Sequence, residues 1–463
     1  MNRWLSGHVF WPLTEGLRQR DTMRRLGELQ ESQRWSADAL RELQNKKLRT
    51  IVKLAVEHCP FYAKRFRRLT INPRDPDLNV ADLQQFPLLS RSDIRDHLDE
   101  MTWHSCPRGG PQPFNTGGSS GEPLKFYIDR YRQAADWAAR WRARGWWGVQ
   151  PGDPEILLWG APVELAVYDR LRQHRDALLN QWMFNAFDMT DETMEAYTRY
   201  IQTKRPVCLY GYSSSLALLS RHAIKQGLSP GGLGSDRLRA VFVTGEVLVD
   251  RDRDVIEQAF GAPVVIEYGC RDGGLLACGC KAGRLHIPQE NVVIELLDPH
   301  GRPVQSGHVG EVVVTNLEAR AMPLIRYRTG DLARADATLT DPSAPQCSCG
   351  RSSATLIEVR GRLTDQIVCK DGNKLRRMHA LSLIYVLREA NGLQQFRITQ
   401  RALDQLDVEI VSDKRFTPVV QQSVERGLRR RMGSDVTIRI HRCERIAPTG
   451  SGKHAYVVSH VKP

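Results

Sequence analysis

Residues Phe114-Asn-Thr-Gly-Gly-Ser-Ser-Gly-Glu-Pro-Leu-Lys-Phe126 concentrate groups suited to holding an anion. Thr116, Gly117, Gly118, Ser119, Ser120 and Gly121 occupy six consecutive positions. Glycines let backbone N–H groups come close to a ligand, and the hydroxyls add donors. Phosphate oxygens suit such a loop. It is not a Walker P-loop, because the Gly-Lys-Ser/Thr ending is missing. In isolation the stretch reads equally as a polar turn, so its meaning depends on the rest of the chain.

Cysteine and histidine supply a second constellation. Cys278-Gly-Cys280 precedes His286, and Cys347-Ser-Cys349-Gly350 follows some sixty residues later. Close thiol pairs with a histidine suit a tetrahedral zinc with no open position, which is a structural rather than a catalytic site. Cys280, His286, Cys347 and Cys349 are the preferred ligands, with Cys278 as the spare. Free buried cysteines are the plainer alternative.

The elements around these residues alternate. The segment Trp35–Phe66 has Leu40, Leu43, Leu48, Ile51, Val52, Leu54 and Ala55 near helical spacing, ended by Cys59-Pro60. Ser90 is placed to cap a helix after Pro87-Leu-Leu-Ser90. Phe126–Ile128 reads as a strand, and Tyr131–Gly145 as a helix with Trp137 and Trp141 on one face. Gly152–Trp159 reads as a turn then a strand, Cys208–Ser215 as a strand end whose serines cap a helix from Leu216, and Ala240–Glu246 and Val264–Gly269 as two more buried strands. This alternation predicts an α/β core with parallel strands, whose carboxyl ends carry Thr244, Gly245, Glu246, Tyr268 and Gly269. From Asn291 the pattern becomes antiparallel β, with strands at Val292–Leu297 and Gly310–Thr315. Beyond Gly361-Arg-Leu-Thr-Asp365 lies a smaller α+β block, with helices near Met378–Ala390 and Pro418–Met432. The predicted domains are therefore 1–361 and 362–463.

Length and charge bound the function. A chain of 463 residues exceeds one hydrophobic core and suggests two or three domains. The net charge of +13 is not gathered into any one segment, and no aromatic–basic RNA motif is present. A dispersed basic surface around an anionic ligand is expected instead, with no nucleic-acid partner. No run of about eighteen apolar residues occurs, so no transmembrane segment is expected. The apolar N-terminal stretch Trp4–Leu13 is broken by Gly7, His8 and Pro12, which argues against a signal peptide. Ten scattered cysteines suit a reducing, cytoplasmic setting.

Tyr268-Gly-Cys-Arg-Asp272, Tyr327-Arg-Thr-Gly-Asp331, Gly361-Arg-Leu-Thr-Asp365 and Pro448-Thr-Gly-Ser-Gly-Lys453 join the glycine loop in order. Together they resemble the adenylate-forming superfamily of acyl-activating ligases. The likeness is to the phenylacetate–coenzyme A ligase-like branch, including its members associated with capsular polysaccharide. Ser32–Gln44, Cys59-Pro-Phe-Tyr62 and Pro87-Leu-Leu-Ser90 resemble the opening of that branch, so the likeness runs over nearly the whole chain.

The resemblance implies a large N-terminal α/β domain with a β subdomain, which binds ATP and the acid, and a small mobile C-terminal domain. It implies ATP and Mg²⁺ as cofactors, with a carboxylic acid activated to an acyl-adenylate. Coenzyme A is the default acceptor and an amine or hydroxyl the other. On this reading Thr116–Gly121 cradles the pyrophosphate portion. Gly245 and Glu246 lie along the adenine, Tyr268 with Gly269 stacks on it, and Asp331 accepts from the ribose hydroxyls. Arg362 belongs to the nucleotide-binding set, Lys453 reaches the α-phosphate and the carboxylate, and Asp272 helps bind magnesium. The branch often carries a zinc cluster at the cysteines named above. Trp159-Gly-Ala-Pro162 and Tyr210-Gly-Tyr212 are the expected walls of the acid pocket.

Two positions depart from the pattern. Aspartate stands at 272 where the family has glutamate, and Thr364 followed by Asp365 stands at the hinge where aspartate or lysine is usual. Asp272 keeps open a rival reading, a catalytically weak nucleotide- and zinc-binding scaffold in polysaccharide assembly. A homodimer is compatible with the sequence and not required by it.

Overall fold

The computed structural model describes the chain except for residues 117–123, 160–169, 187–188, 342, 363–365, 372–373, 380, 389, 434, 448–455 and 462–463. The chain divides into two compact units, one built on Met1–Gly118 with Glu122–Val359 and the other on Arg360–Pro463.

The first unit opens with helices. Ser36 caps Ala37–His58 by accepting from the Ala39 N–H. Cys59, held extended at φ −121° and ψ 102° ahead of Pro60, ends that helix, and Pro60–Phe66 starts anew. Ser90 and Asp93 form a capping box on Arg91–Asp96, as the hydroxyl's position predicts. A hairpin of β1 (Gln112–Asn115) and β2 (Lys125–Ile128) then flanks the glycine loop, with Asn115 opposite Lys125. Asp129 caps the following helix, Arg130–Gly145. On it Trp137 and Trp141 pack with buried Trp11 from the N-terminal helix, at centroid distances of 5.7 and 5.1 Å.

Among the described residues the unit's main sheet has eleven strands. They are β3 (Glu155–Trp159), β4 (Gln181–Asn185), β5 (Cys208–Tyr212), β6 (Ala240–Thr244), β7 (Val264–Cys270), β8 (Gly274–Gly279), β9 (Leu285–His286), β10 (Val292–Leu297), β11 (Val309–Asn316), β12 (Leu324–Ala335) and β13 (Thr355–Arg362). Their order is β10-β11-β12-β13-β9-β8-β7-β6-β5-β3-β4. From β4 to β7 the pairing is parallel, and β7 then turns to pair antiparallel with β8. The strand β6, Ala240-Val-Phe-Val-Thr244, is buried at every position, the pattern of a strand covered on both faces.

One expected helix start is corrected. The helix after β5 begins at Ser213, not Leu216, and Tyr212 at its N-cap makes no side-chain capping bond. The cap comes instead from Glu246, whose Oε2 accepts from the Ser214 N–H at 2.9 Å and from Ser213 Oγ at 3.2 Å. A carboxylate from the next strand's end thus does what the serines themselves do not.

The second unit carries a four-stranded sheet in the order β18-β17-β16-β19, made of β16 (Leu393–Ala402), β17 (Gln405–Ser412), β18 (Thr437–Arg442) and β19 (Val457–Ser459). A separate hairpin joins β14 (Gln366–Asp371) to β15 (Lys374–His379). Helices Leu381–Arg388 and Pro418–Met432 contribute Leu383, Leu387, Val424 and Leu428 to a core shared with Phe396, Ile398 and Val408. The first of these helices begins later than its sequence suggests, because Met378 is taken up in β15.

Candidate functional site

The carboxyl end of β7 and the middle of β12 lie four strands apart in the sheet order, yet their side chains meet. The ladder between them narrows to two residues at β9, where His286 and Leu285 pair with Thr355 and Leu356. Across this narrowing Tyr268 Oη on β7 donates to Asp331 Oδ2 on β12 at 2.9 Å. In return Tyr327 Oη on β12 donates to Asp272 Oδ2, just past the end of β7, at 2.5 Å. Asp331 is further held by its own N–H donating to Thr329 Oγ1 at 3.1 Å. Burial, with the facing carboxylates, raises both tyrosine hydroxyls above the ordinary tyrosine range, so both remain protonated donors. Cys270 sits between the two aspartates, and burial followed by those charges pushes its thiol well up.

Two further motifs arrive at the same place. Leu89 is bridged to Tyr327: its N–H donates to the Arg326 carbonyl at 2.9 Å and its carbonyl accepts from the Arg328 N–H at 2.9 Å. This lays Pro87–Ser90 along β12 and delivers Arg91, whose guanidinium donates to Thr116 Oγ1 at 3.1 Å. Thr116 closes the foot of the glycine loop. Its N–H donates to the Leu124 carbonyl at 3.0 Å, and its hydroxyl accepts from the Leu124 N–H at 2.9 Å. Arg271 donates to the Asn115 carbonyl at 3.2 Å and so ties the Tyr268–Asp272 turn to the same hairpin. Arg91 and Arg271 are cations that the motif reading passed over. The only sequence signal for Arg91 was its place directly after the capping serine.

The other expected residues fall as follows. Gly245 has φ +77°, a conformation that side chains rarely adopt, and turns the chain at the end of β6 so that Glu246 reaches the helix at Ser213. Gly269 lies at a register shift in β7, where a Cβ would come within 2.7 Å of the Gly274 carbonyl oxygen. Trp159 and Tyr212 end β3 and β5, between which the strand order reverses, and their rings stack at 4.3 Å. Ligands of open α/β sheets bind outside such reversal points. Tyr210, by contrast, points into the core and donates to Glu267 at 3.0 Å. Arg362 ends β13. Gly117, Gly118, Ser119, Ser120, Gly121, the Thr364/Asp365 hinge, residues 160–162 and Lys453 lie outside the described residues.

The cysteine–histidine constellation is assembled elsewhere in the first unit. The ligand atoms of Cys280, His286, Cys347 and Cys349 all lie within 4.8 Å of one another. Cys280 Sγ and Cys347 Sγ are 3.8 Å apart, far beyond a disulfide bond. Two thiolates bound to one tetrahedral zinc stand about 3.8 Å apart, given Zn–S bonds of about 2.3 Å. His286 Nδ1 lies 3.1 Å from the Ser353 carbonyl oxygen, which can only accept, and 2.9 Å from Ser353 Oγ, which can donate or accept. A proton on Nδ1 satisfies the carbonyl and leaves Nε2, which faces Cys349 Sγ at 3.2 Å, as the ligating nitrogen. Burial pushes this imidazole down to about 4, which keeps it neutral at ordinary pH. The donor set fits zinc. Cys278, the spare, is paired in the sheet with Glu267 and packs into the core beside Trp141 and Tyr210.

The profile of the CapK C-terminal domain family matches residues 367–460. Over the longer chain, protein CapK of Staphylococcus aureus is 22% identical across 423 residues, covering 91% of this chain and 89% of CapK. Phenylacetate-coenzyme A ligase of Aromatoleum evansii is 27% identical across 357 residues, covering 75% of this chain and 76% of that one. The fold matches a crystal structure of 2-hydroxyisobutyryl-CoA ligase in complex with 2-HIB-AMP, with a TM-score of 0.72, 20% identity, and coverage of 92% and 91% of the two chains. The architecture is thus that of the adenylate-forming ligases. Over most of its length the chain is similar to phenylacetate-coenzyme A ligases and to CapK.

Proposed function

We propose that this protein activates a carboxylic acid with ATP, forming an acyl-adenylate and pyrophosphate, and then passes the acyl group to an acceptor. The observation that carries this reading is the convergence of Arg91, Thr116, Asp272 and Asp331, from four distant motifs, around the end of β7. Relatives named phenylacetate-coenzyme A ligase and a fold neighbour holding an acyl-AMP support it. So does the chemistry. Bringing a carboxylate onto the α-phosphorus joins two anions, and needs fixed donors and cations where charge develops.

In this reading Tyr268 and Asp331 hold adenine and ribose, while the loop at Thr116–Gly121 takes the departing pyrophosphate. Asp272 fits a magnesium ion. Its carboxylate accepts one strong bond from Tyr327 and a longer one, 3.2 Å, from the Gly273 N–H, with the Cys270 thiol as a third neighbour, and two oxygens offer room beside these for a magnesium-bound water. Magnesium would neutralise phosphate charge there. Trp159 and Tyr212 form part of the acid pocket. Lys453, on the small mobile domain 362–463, supplies positive charge during adenylation and is withdrawn by the Thr364/Asp365 hinge for transfer. Coenzyme A is the proposed acceptor, with an amine or hydroxyl as the alternative in a polysaccharide-assembly role. The Cys280, His286, Cys347 and Cys349 cluster holds one structural zinc.

The test is a magnesium-dependent ATP–pyrophosphate exchange screen over aryl, fatty, hydroxy and amino acids. Exchange with one acid class supports the proposal. Heat stabilisation by ATP without exchange for any acid would favour the scaffold reading instead.

A further inference from the structure

Tyr268-Gly-Cys-Arg-Asp272 and Tyr327-Arg-Thr-Gly-Asp331 share one form, a tyrosine four residues ahead of an aspartate. Neither tyrosine bonds to the aspartate of its own motif. Each donates to the other's, Tyr268 to Asp331 at 2.9 Å and Tyr327 to Asp272 at 2.5 Å. All four side chains are buried, with Tyr327 at 0% exposure and Asp272 at 5%. A buried carboxylate is costly unless hydrogen-bonded, and an O–H···O⁻ bond of this length is among the strong ones.

The exchange matters most at Asp272. Aspartate in place of glutamate withdraws the carboxylate by one methylene, about 1.5 Å of reach. Two short-range anchors then fix where it points: Tyr327 Oη on Oδ2, and the Gly273 N–H on Oδ1 at 3.2 Å. Tyr327 is itself rigid, because Leu89 is hydrogen-bonded to the residues on either side of it, Arg326 and Arg328. The aspartate's position is therefore set by β12 rather than by solvent.

We propose that Tyr327 is a positioning residue that aims the shortened Asp272 carboxylate at the metal–phosphate end of the site, while Tyr268 separately aims Asp331 at the nucleoside end. What the carboxylates touch rests on the adenylate-forming reading above; the crossed pairing does not. Because the pairs are crossed, losing one hydroxyl disturbs one end of the nucleotide and spares the other.

The experiment uses full-length Tyr327→Phe and Tyr268→Phe, which keep ring volume, and reads ligand binding by calorimetry rather than turnover. For Tyr327→Phe the magnesium concentration that half-saturates ATP binding should rise about tenfold, the size expected for losing one bond to a charged group. Its affinity for AMP without metal should stay within about twofold. Tyr268→Phe should show the reverse, weaker AMP binding with unchanged magnesium dependence. Asp272→Glu combined with Tyr327→Phe should restore the magnesium dependence, since the longer side chain needs no aiming. Equal losses of AMP and magnesium affinity in Tyr327→Phe would mean a general structural role and overturn the proposal, as would no loss of either. A wild-type chain that binds neither AMP nor ATP would instead overturn the adenylate-forming reading. The pairing is then judged by thermal unfolding of Tyr327→Phe, Asp272→Asn and the double variant, where additive losses would refute it.

Discussion

Two polar clusters sit in the same sheet-bearing unit and solve opposite problems. At the end of β7 each aspartate has its own tyrosine donor, so both carboxylates are held by the protein in fixed directions. At the cysteine–histidine cluster three sulfurs and one ring nitrogen converge on one another, with Arg351 beside Cys349 and Ser353 holding the far side of the imidazole. Thiols are weak hydrogen-bond partners, so this convergence gains little without a cation at its centre. Closed donor–acceptor pairs mark groups being aimed. Convergent lone pairs mark groups being bridged. On this contrast the first cluster suits chemistry and the second suits a structural metal, as proposed above.

The largest effect is expected from removing the bridge. Purified protein should contain roughly one zinc per chain by metal analysis, and structural zinc contributes on the order of 10 kcal/mol to folding. Cys347→Ser with Cys349→Ser should therefore lose the metal and melt on the order of ten degrees lower or more. Metal-free protein with unchanged melting would erase the contrast.

On the chemical side, Lys453→Ala should slow adenylate formation on the order of a hundredfold, the cost of one preorganised donor. Transfer from preformed acyl-adenylate, measured separately, should be nearly unaffected if the lysine is withdrawn for that step as proposed. Equal losses in both steps would make the lysine a structural residue.

A smaller effect sharpens the boundary between aiming and bracing. Glu246 borders the proposed adenine site but caps the helix Ser213–Lys225. Glu246→Ala should cost about 1 kcal/mol of stability in chemical denaturation, as for loss of a helix cap. An unchanged midpoint would mean the cap is dispensable.

The smallest effect lies away from both clusters. Burial alone would raise Glu318, but Lys47 at 2.6 Å and Arg25 at 2.9 Å hold it below the ordinary glutamate value of 4.5. A depressed carboxylate stabilises the fold above its unfolded value, and that contribution is lost as pH falls through the folded one. Glu318→Gln should thus flatten the acid limb of the stability profile below about pH 4.5, leaving pyrophosphate exchange and zinc content unchanged.

The two clusters were also unequally legible in the sequence. The four residues of the cysteine–histidine cluster could be chosen from spacing, since two Cys-x-Cys pairs with a histidine leave few alternatives. Only the structure separates Cys280 from Cys278: β8 ends at Gly279, so Cys278 stays paired with Glu267 in the sheet and packs in the core, while Cys280, just past the strand end, joins the cluster. The strand β6 was visible as an apolar run, and β7 as one interrupted only by Glu267. The crossed tyrosine–aspartate pairs were not, because the motifs state what each segment contains and not which segment it meets. The cap by Glu246 escaped for the same reason: it reaches a helix some thirty residues earlier in the chain. The two-residue strand β9, whose narrow ladder lets β7 and β12 approach, carries too little pattern to be recognised.

The most direct test of the contrast is Asp331→Ala beside Cys347→Ser, each measured for pyrophosphate exchange, zinc content and melting temperature. Asp331→Ala should lose about a hundredfold in exchange, the upper range for a charged hydrogen bond, while keeping its zinc and melting within a few degrees of wild type. Cys347→Ser should lose zinc and melting temperature first. Exchange that persists undiminished in Asp331→Ala would contradict the assignment of the β7–β12 site to the nucleotide.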